Sequence, residues 1–539
     1  MFNVAVTGSW VDLMLPDILK NVELASGPDG AGYASILAGS RREAWRVSSS
    51  SFKSWLAEKV SSQSGDLLTN GQLNALAAEM QKIARSRRSE HQFALRVKEH
   101  DGAIYLDLGD ADRRCVAITR VGWEVVESCP IRFYRTEGML SMAAPEKGGT
   151  IEGFRPFINA TNEREFTLLM MWLVAALRGR GPYPVLVVAG EHGTAKSTLS
   201  RFVQRLVDPG VGGLAGLSKN ERDLFTRASN THLLVFDNVS QLPANISDVL
   251  CRISGGGSFI TTHDRNSRLE EYTSAELPVL INGTSVSIRP DLADRAIFIT
   301  LDPIDVHKPL NALEDEFERA RPYLLGVLLD GLVEYLRNMH KILDVGPSRM
   351  ADFARVGVAS ETAFWASGKF KRAYQDNLVD AANGVLEDEP VALALREYLI
   401  DRKKFEGTAQ QLLIAITSAN VKVKVGETSW PMTPRALGGV LRRLAPALRK
   451  TGIELHYLRK AGGNRDRIIH VSVSDLASPV ERASKTERVR LQPARSLFDI
   501  GADHTSQEAG GAAGTIGTVG TIGAAVDTMV MQHCAPLSG

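Results

Sequence analysis

Cysteine is scarce in this sequence: four residues in 539, namely Cys115, Cys129, Cys251 and Cys534. None belongs to a C-x-x-C pair or stands near histidine at metal-ligand spacing, which argues against a disulfide framework and a zinc site. Reduced thiols in a cytoplasmic protein, of a bacterial or phage-infected cell, are the expectation. Long apolar runs are also missing. The longest is Leu168 to Leu177, ten residues closed by Arg178 and Arg180. A bilayer needs about 20, so no membrane partner is expected and the run reads as a buried helix. The first residues, MFNVAVTGSWVDLMLPD, have no basic n-region and soon meet Asp12 and Asp17. A secretory signal is therefore not expected. Nor is there an excess of either charge. Lys+Arg number 63 against Asp+Glu 62, a net charge of +1. The average selects no partner; only local asymmetry could.

What is present is an ordinary globular composition, 44% hydrophobic and 23% charged. It excludes a wholly disordered chain and a collagen-like fibre. Residues 1–150 read as an N-terminal α+β domain of unassigned role. A hairpin signal sits at Asp29-Gly30, helical spacing at 51–62 and 70–85, and period-2 segments start at Phe93, Ile104 and Trp123. His100-Asp101-Gly102 marks a turn. Residues 151–305 alternate helices with apolar strands (PVLVV, HLLVF, PVLI, AIFIT), the pattern of a parallel sheet covered on both faces. Residues 306–388 read as a helical lid or linker, 389–475 as a winged-helix-like basic domain, and 476–539, ending in Gly/Ala/Thr-rich sequence, as a disordered tail. The fold signal stops near residue 475, which fits about three domains better than four.

The sharpest motif is Gly190-Glu191-His192-Gly193-Thr194-Ala195-Lys196-Ser197-Thr198. It follows G-x-x-x-x-G-K-[ST] except that Ala195 replaces the last glycine. An apolar strand precedes it, and a helix with Leu199, Phe202, Val203, Leu206 and Val207 on one face follows. In such a loop, backbone N–H groups and a helix N-terminus converge on phosphate oxygens. Lys196 would reach the β- and γ-phosphates of ATP and Ser197 would ligate Mg²⁺. The second element is the strand ending in Asp237 and Asn238, 41 residues after Lys196. Asp237 is placed to hold the metal shell. In most hydrolysing P-loop ATPases, which this pairing of motifs resembles, an acid that polarises the attacking water follows; here it is Asn238, and an amide cannot accept a proton at neutral pH. Hydrolysis is then slow, served by another carboxylate such as Glu191, or absent. The third element, PVLI before Asn282-Gly283, fits either a phosphate-sensing amide or an ordinary strand-to-turn pair. The fourth is Arg289-Pro-Asp-Leu-Ala-Asp294-Arg295. Arg295 fits either an arginine finger reaching a neighbouring subunit's nucleotide or a salt bridge to Asp291 or Asp294.

The order of these motifs resembles AAA+ ATPases, and more closely the superfamily 3 helicases and the helicase half of phage and poxvirus-type primase-helicases. The residues that carry it are GEHGTAKST (190–198), LLVFDN (233–238), 250–272, VLING (279–283) and RPDLADRA (289–296). The chain as a whole looks like the ATP-binding proteins of bacterial mobile elements and prophages. The likeness covers roughly 20–475, with motif-level specificity confined to 185–300. It implies an α/β fold: a P-loop (AAA+ type) parallel sheet core with the N-terminal α+β domain and the C-terminal winged-helix-like domain. It further implies a homo-oligomer, a hexameric ring, working beside a primase-polymerase on single-stranded or forked DNA. The 253–272 segment, with His263, Arg265 and Arg268, would then be a DNA-gripping hairpin; by its residues alone it is equally a solvated loop.

Residues 431–470 conceal a local excess, nine basic residues against two acidic. Arg435, Arg442, Arg443, Arg465 and Arg467 are the candidate DNA contacts. Thr433-Pro434 opens a helix, Pro446 should kink or end it, and IELHYL, Ala461–Asn464 and IIHVSV form a wing. Such cations suit phosphates more than bases; a protein-docking face is the other reading. The function expected is an ATP-dependent DNA helicase or translocase of a phage or mobile element, with ATP and Mg²⁺ as cofactors. The rivals are a nucleotide-switched DNA-binding or loading factor, favoured by Asn238, and a structural adaptor with a degenerate site.

Overall fold

The computed structural model describes residues 14–27, 30–38, 41–65, 67–87, 92–160, 162–262, 270–284, 286, 288–304, 308–346, 348–419, 430–459 and 467–474. All of them lie in one compact unit, Met1–Pro479. The expected tail, the wing turn with Arg465, and His263, Arg265 and Arg268 lie outside the described residues.

The fold is mixed α/β, with parallel and antiparallel sheets. At the N-terminal end, strands Val22–Ser26, Gly32–Ala38 and Arg41–Arg46 form an antiparallel sheet. The first two join around Gly30, as its turn signal predicts. Helix Ser50–Ser64 starts where Ser49 accepts from the Phe52 N–H, and helix Asn70–Ser86 starts at a Thr69–Gln72 capping box. Both satisfy donors that a helix start leaves unpaired. A four-stranded meander follows: Val97–His100, Ala103–Asp107, Cys115–Ile118 and Trp123–Val126. Its first turn uses Asp101 (φ 49°) and Gly102 (φ 75°), the paired positive φ values of a two-residue hairpin.

The segment starting at Phe93 is not one strand. It divides into Gln92–Ala94 and Val97–His100 because Arg96, fully buried, turns inward. Its guanidinium donates to Asp208 Oδ1 (3.0 Å), Asp107 O (3.3 Å), Leu140 O (2.9 Å) and Pro209 O (3.3 Å).

The central sheet is four-stranded and parallel, in the order Leu234–Phe236, Val279–Gly283, Val185–Ala189, Ala296–Thr300. Its strands are buried on both faces. Leu186, Val188, Val235, Leu280, Ile297 and Ile299 join one apolar core, while Val185, Val187, Leu234, Phe236, Val279, Ile281 and Ala296 join another. This is the period-2 division that makes such strands read as unbroken apolar runs. The first core extends from Val97 to Leu378 and contains helix Glu163–Ala176, whose Leu168–Ala176 stretch is wholly buried as its apolar run requires. Helix Leu310–Asn338 packs there through Leu324, Leu325, Leu328, Leu329, Leu332 and Leu336.

The C-terminal region has its own core, Ala382 to Val471. Strands Ile453–Arg459 and Arg467–Val473 pair as the expected hairpin, and Lys404–Thr408 adds to the outer edge of the second. Helix Pro434–Lys450 is capped by Thr433, which accepts from Ala436 N–H at 3.2 Å. It does not end at Pro446. The buried face of Leu437, Leu441, Leu444, Ala447 and Leu448 offsets one lost backbone hydrogen bond. Among the described residues no helix is long and apolar enough to cross a membrane, and Cys115, Cys129 and Cys251 are free thiols.

Candidate functional site

The 190–198 loop leaves the carboxyl end of the central strand Val185–Ala189 and opens directly into helix Lys196–Val207. Gly190 (φ 155°) has no room for a side chain: a Cβ there would stand 2.6 Å from Thr194 Oγ1 and 3.0 Å from Leu301 O. Gly193 (φ 83°) is exposed, and nothing stands within 4 Å of where its Cβ would be. Glu191 and His192 are exposed beside it, and Thr194 is buried, its hydroxyl donating to Glu191 O at 3.0 Å. The loop is held from below by Asn159, whose amide donates to Asp302 O and to Thr194 O.

Ala195 precedes the helix in the left-handed conformation, φ 62° and ψ 27°. Only glycine occupies that region without cost, which explains why the usual motif has glycine there; an L-residue loses about 1 kcal/mol. Ala195→Gly is therefore expected to leave the loop unchanged and raise stability by up to about 1 kcal/mol. Urea unfolding followed by tryptophan fluorescence measures this, and a loss of stability would contradict it.

The Lys196 ammonium donates to Gly190 O (2.8 Å), Glu191 O (2.5 Å) and Thr194 Oγ1 (3.3 Å), so it is folded across the loop. Partial burial lowers its pKa from the ordinary lysine value, while Asp237 acts the other way. The first turn of its helix carries no acidic side chain, so nothing on the helix neutralises the positive end of the dipole. Thr198, in that turn, is half-buried.

Asp237 follows strand Leu234–Phe236, and its Oδ1 accepts from Ser197 Oγ at 2.8 Å. A hydroxyl and a carboxylate held together are a hard-oxygen pair suited to Mg²⁺, which keeps several of its waters. Asn238 follows with φ 55° and an exposed side chain. Asparagine is among the few non-glycine residues that tolerate this backbone, which gives a physical reason for an amide at this position. Asn282 is 1% exposed. Its Oδ1 accepts from Asn238 N–H (3.0 Å) and its Nδ2 donates to Ser200 Oγ (2.7 Å). Both ends of the amide are thus engaged within the protein, tying two strand ends to the helix after the loop. Gly283 follows because a Cβ there would stand 2.0 Å from Val239 O.

Arg295 is not brought to this cluster. It precedes strand Ala296–Thr300, whose Ala296 pairs with Val185 and Thr300 with Ala189. It therefore lies at the amino end of the sheet, roughly 16 Å of strand away from the loop. The two salt bridges that its sequence allows do not form. Asp294 instead pairs with Lys450 (2.8 Å) and lies 4.0 Å from Arg349. Among the described residues Arg295 has no ion pair, and its Nε is buried without a hydrogen-bond partner.

Two contributors are missed by motif reading, Ser200 and Asn159. Ser200 had a signal: a lone hydroxyl on the apolar face between Leu199 and Phe202. Asn159, more than 30 residues before the loop, had none.

In the C-terminal module Arg435, Arg442 and Arg467 line one cavity of about 550 Å³. Arg443 turns away to Glu389 at 2.8 Å.

Residues 152–382 match the family model of the actinomycete integrative conjugative element replication protein. Residues 391–487 match that of the AICE RepA C-terminal domain. The chain is similar to a mobile-element replication protein. Both candidate sites fall inside those matches: the 190–198 loop in the first, the arginine-lined cavity in the second. Three solved structures of the NrS-1 C-terminal region cover 86% of this chain and 98–99% of their own, at 12–14% identity and TM-scores of 0.35–0.37. At such scores nothing about activity follows. No curated protein matches.

Proposed function

We propose that the chain is an ATPase of mobile-element replication, with a P-loop core that binds MgATP and couples its hydrolysis to movement on DNA as a helicase or translocase. The observation that supports this best is the Ser197–Asp237 contact at 2.8 Å, formed where a strand, a glycine-bearing loop and a helix start converge. In this reading the 190–198 backbone and Lys196 hold the phosphates, and Ser197 and Asp237 hold Mg²⁺, which would neutralise charge developing on the phosphoryl oxygens. Asn282 positions Asn238 and the helix, and Arg295 acts on a neighbouring copy's nucleotide in an oligomeric ring. The C-terminal module, winged-helix-like, contributes DNA contacts.

A nucleotide-switched DNA-binding or loading factor is the second reading, and Asn238 favours it. Its amide cannot take a proton from water, and the carboxylate that the loop itself offers is the exposed Glu191.

Steady-state ATP hydrolysis with and without single-stranded DNA separates the two. DNA-stimulated turnover is expected, and Lys196→Ala should lower it ~10²–10³-fold, the usual cost of removing a charge-stabilising donor. ATP binding without turnover would leave the switch. Failure to bind ATP would leave an adaptor with a degenerate site.

A further inference from the structure

The basic residues of helix Pro434–Lys450 divide into two sets. Arg443, Arg449 and Lys450 face acids: Glu389 at 2.8 Å, Glu454 at 3.7 Å and Asp294 at 2.8 Å. Arg435 and Arg442, with Arg467 on the facing strand, have no carboxylate partner among the described residues. These three line the same cavity of about 550 Å³, and none of its lining residues among those described is acidic. The other described lining residues, Gly438 apart, are Ala409, Pro434, Tyr457, Leu458 and Ile469, apolar or aromatic.

The geometry follows from two periodicities. Arg435, Gly438 and Arg442 recur at i, i+3 and i+7, one face of a helix. Ile453, Leu455 and Tyr457 alternate along one face of their strand. The first two are buried in the core, while Tyr457 runs past its edge and is 40% exposed; Leu458 is 52% exposed. Burial raises the Tyr457 pKa from its ordinary value, and the Arg442 charge acts the other way. The helix also carries Gly438-Gly439 in its interior, costing about 1 kcal/mol each relative to alanine. Packing does not demand either glycine. Among the described residues and within 4 Å, a Cβ at Gly438 would meet only Arg442 Nη2, at 3.9 Å, and one at Gly439 would meet nothing. Gly438 lines the cavity, where a bare backbone permits close approach of a ligand.

Arg442 Nε donates to Gly438 O at 2.9 Å, and guanidinium groups without a carboxylate partner would by themselves suit a duplex backbone. An open aromatic and aliphatic wall between them would not, because a duplex keeps its base faces stacked; an unstacked base has a free face to lay on a ring. We infer that this groove takes single-stranded DNA, with one unstacked base on Tyr457 and the flanking phosphates at Arg435, Arg442 and Arg467. The inference rests on the proposed DNA-binding role of the C-terminal module and adds its strandedness and its stacking residue.

The test uses the full chain with a 5-iodouracil-bearing single strand and a duplex of the same sequence. Photocrosslinking followed by peptide mapping is expected to place an adduct at Tyr457 with the single strand and not with the duplex. By fluorescence anisotropy, Tyr457→Ala should weaken single-strand binding roughly 5- to 100-fold and change duplex binding less than twofold. Tyr457→Phe should retain affinity, since the ring and not the hydroxyl is required. Arg435→Ala, Arg442→Ala and Arg467→Ala combined should lower the dependence of log affinity on log salt by about two to three. If Tyr457→Ala leaves single-strand affinity unchanged, or weakens both substrates equally, while the triple variant still lowers affinity, the stacking groove is overturned and the DNA role stands. If the triple variant changes neither affinity nor salt slope, the DNA role of the module itself fails.

Discussion

Arg295→Ala is expected to lower DNA-stimulated ATP turnover by ~10³–10⁵-fold, the range for loss of an arginine finger, while ATP affinity stays within a few-fold. The expectation follows from the proposed nucleotide site and from position. Arg295 stands at the amino end of the strand whose carboxyl end adjoins the loop, so it does not serve its own subunit's phosphates. It carries no ion pair among the described residues, and its Nε lacks a partner, so truncation breaks no salt bridge. A lysine should not substitute, because the planar fork is lost. The decisive measurement is a mixing experiment. Lys196→Ala subunits retain Arg295, and Arg295→Ala subunits retain Lys196. Mixed in one oligomer, they restore intact interfaces, and turnover should recover in part. Two inactive variants that stay inactive on mixing would remove the trans role.

Asp208→Ala is expected to destabilise the protein by about 3–5 kcal/mol, the cost of leaving a buried charge unpaired. Arg96 is fully buried and Asp208 is 6% exposed. Asp208 Oδ1 accepts from Arg96 Nε at 3.0 Å. Its Oδ2 accepts from Thr231 Oγ1 (2.7 Å) and from the backbone N–H groups of His232 (2.6 Å) and Leu233 (3.3 Å). Those groups precede strand Leu234–Phe236, which Asp237 follows. Truncation therefore leaves the Arg96 charge without its counter-ion and two buried backbone N–H groups without their acceptor, while Thr231 Oγ1 keeps Leu233 O at 3.0 Å. Burial lowers the His232 pKa, and its ring is bound to Ala176 O; an imidazole, neutral or protonated, cannot supply the lost negative charge. The expected fall in the melting temperature is roughly 6–20 °C, at about 2–4 °C per kcal/mol for domains of this size. Differential scanning calorimetry reads it directly. A shift of less than about 2 °C would show that the Arg96 network contributes little.

The local elements were legible because each rests on neighbours in sequence. Thr433 and Pro434 start their helix, and Asp101-Gly102 turns its hairpin. The apolar strands 185–189 and 296–300 pair in one parallel sheet. The loop was legible for the same reason: its glycines, Lys196 and Ser197 all lie within one short stretch, residues 190–197. Where single residues answer to distant partners, pattern reading failed. Arg96 breaks a period-2 run because its charge needs acceptors from residues 107, 140, 208 and 209. Pro446 fails to end its helix because the leucines around it are already committed to a core. Of the two readings of Arg295, the salt bridge to a neighbouring acid does not form among the described residues, and Asp294 is held by Lys450 from another region of the chain.

The sequence by itself determined the strand–loop–helix around Lys196, the spacing to Asp237, and a basic C-terminal segment hidden by a net charge near zero. These depend on residues adjacent or periodic in the chain, where backbone geometry alone fixes which side chains share a face. Only the tertiary structure decided that Asn282 is a buried brace between Asn238 and Ser200. It also decided that the arginines of one helix divide between ion pairs and an open groove beside Tyr457. Those outcomes depend on which distant group arrives to satisfy a buried amide or a charge, and no local spacing encodes that.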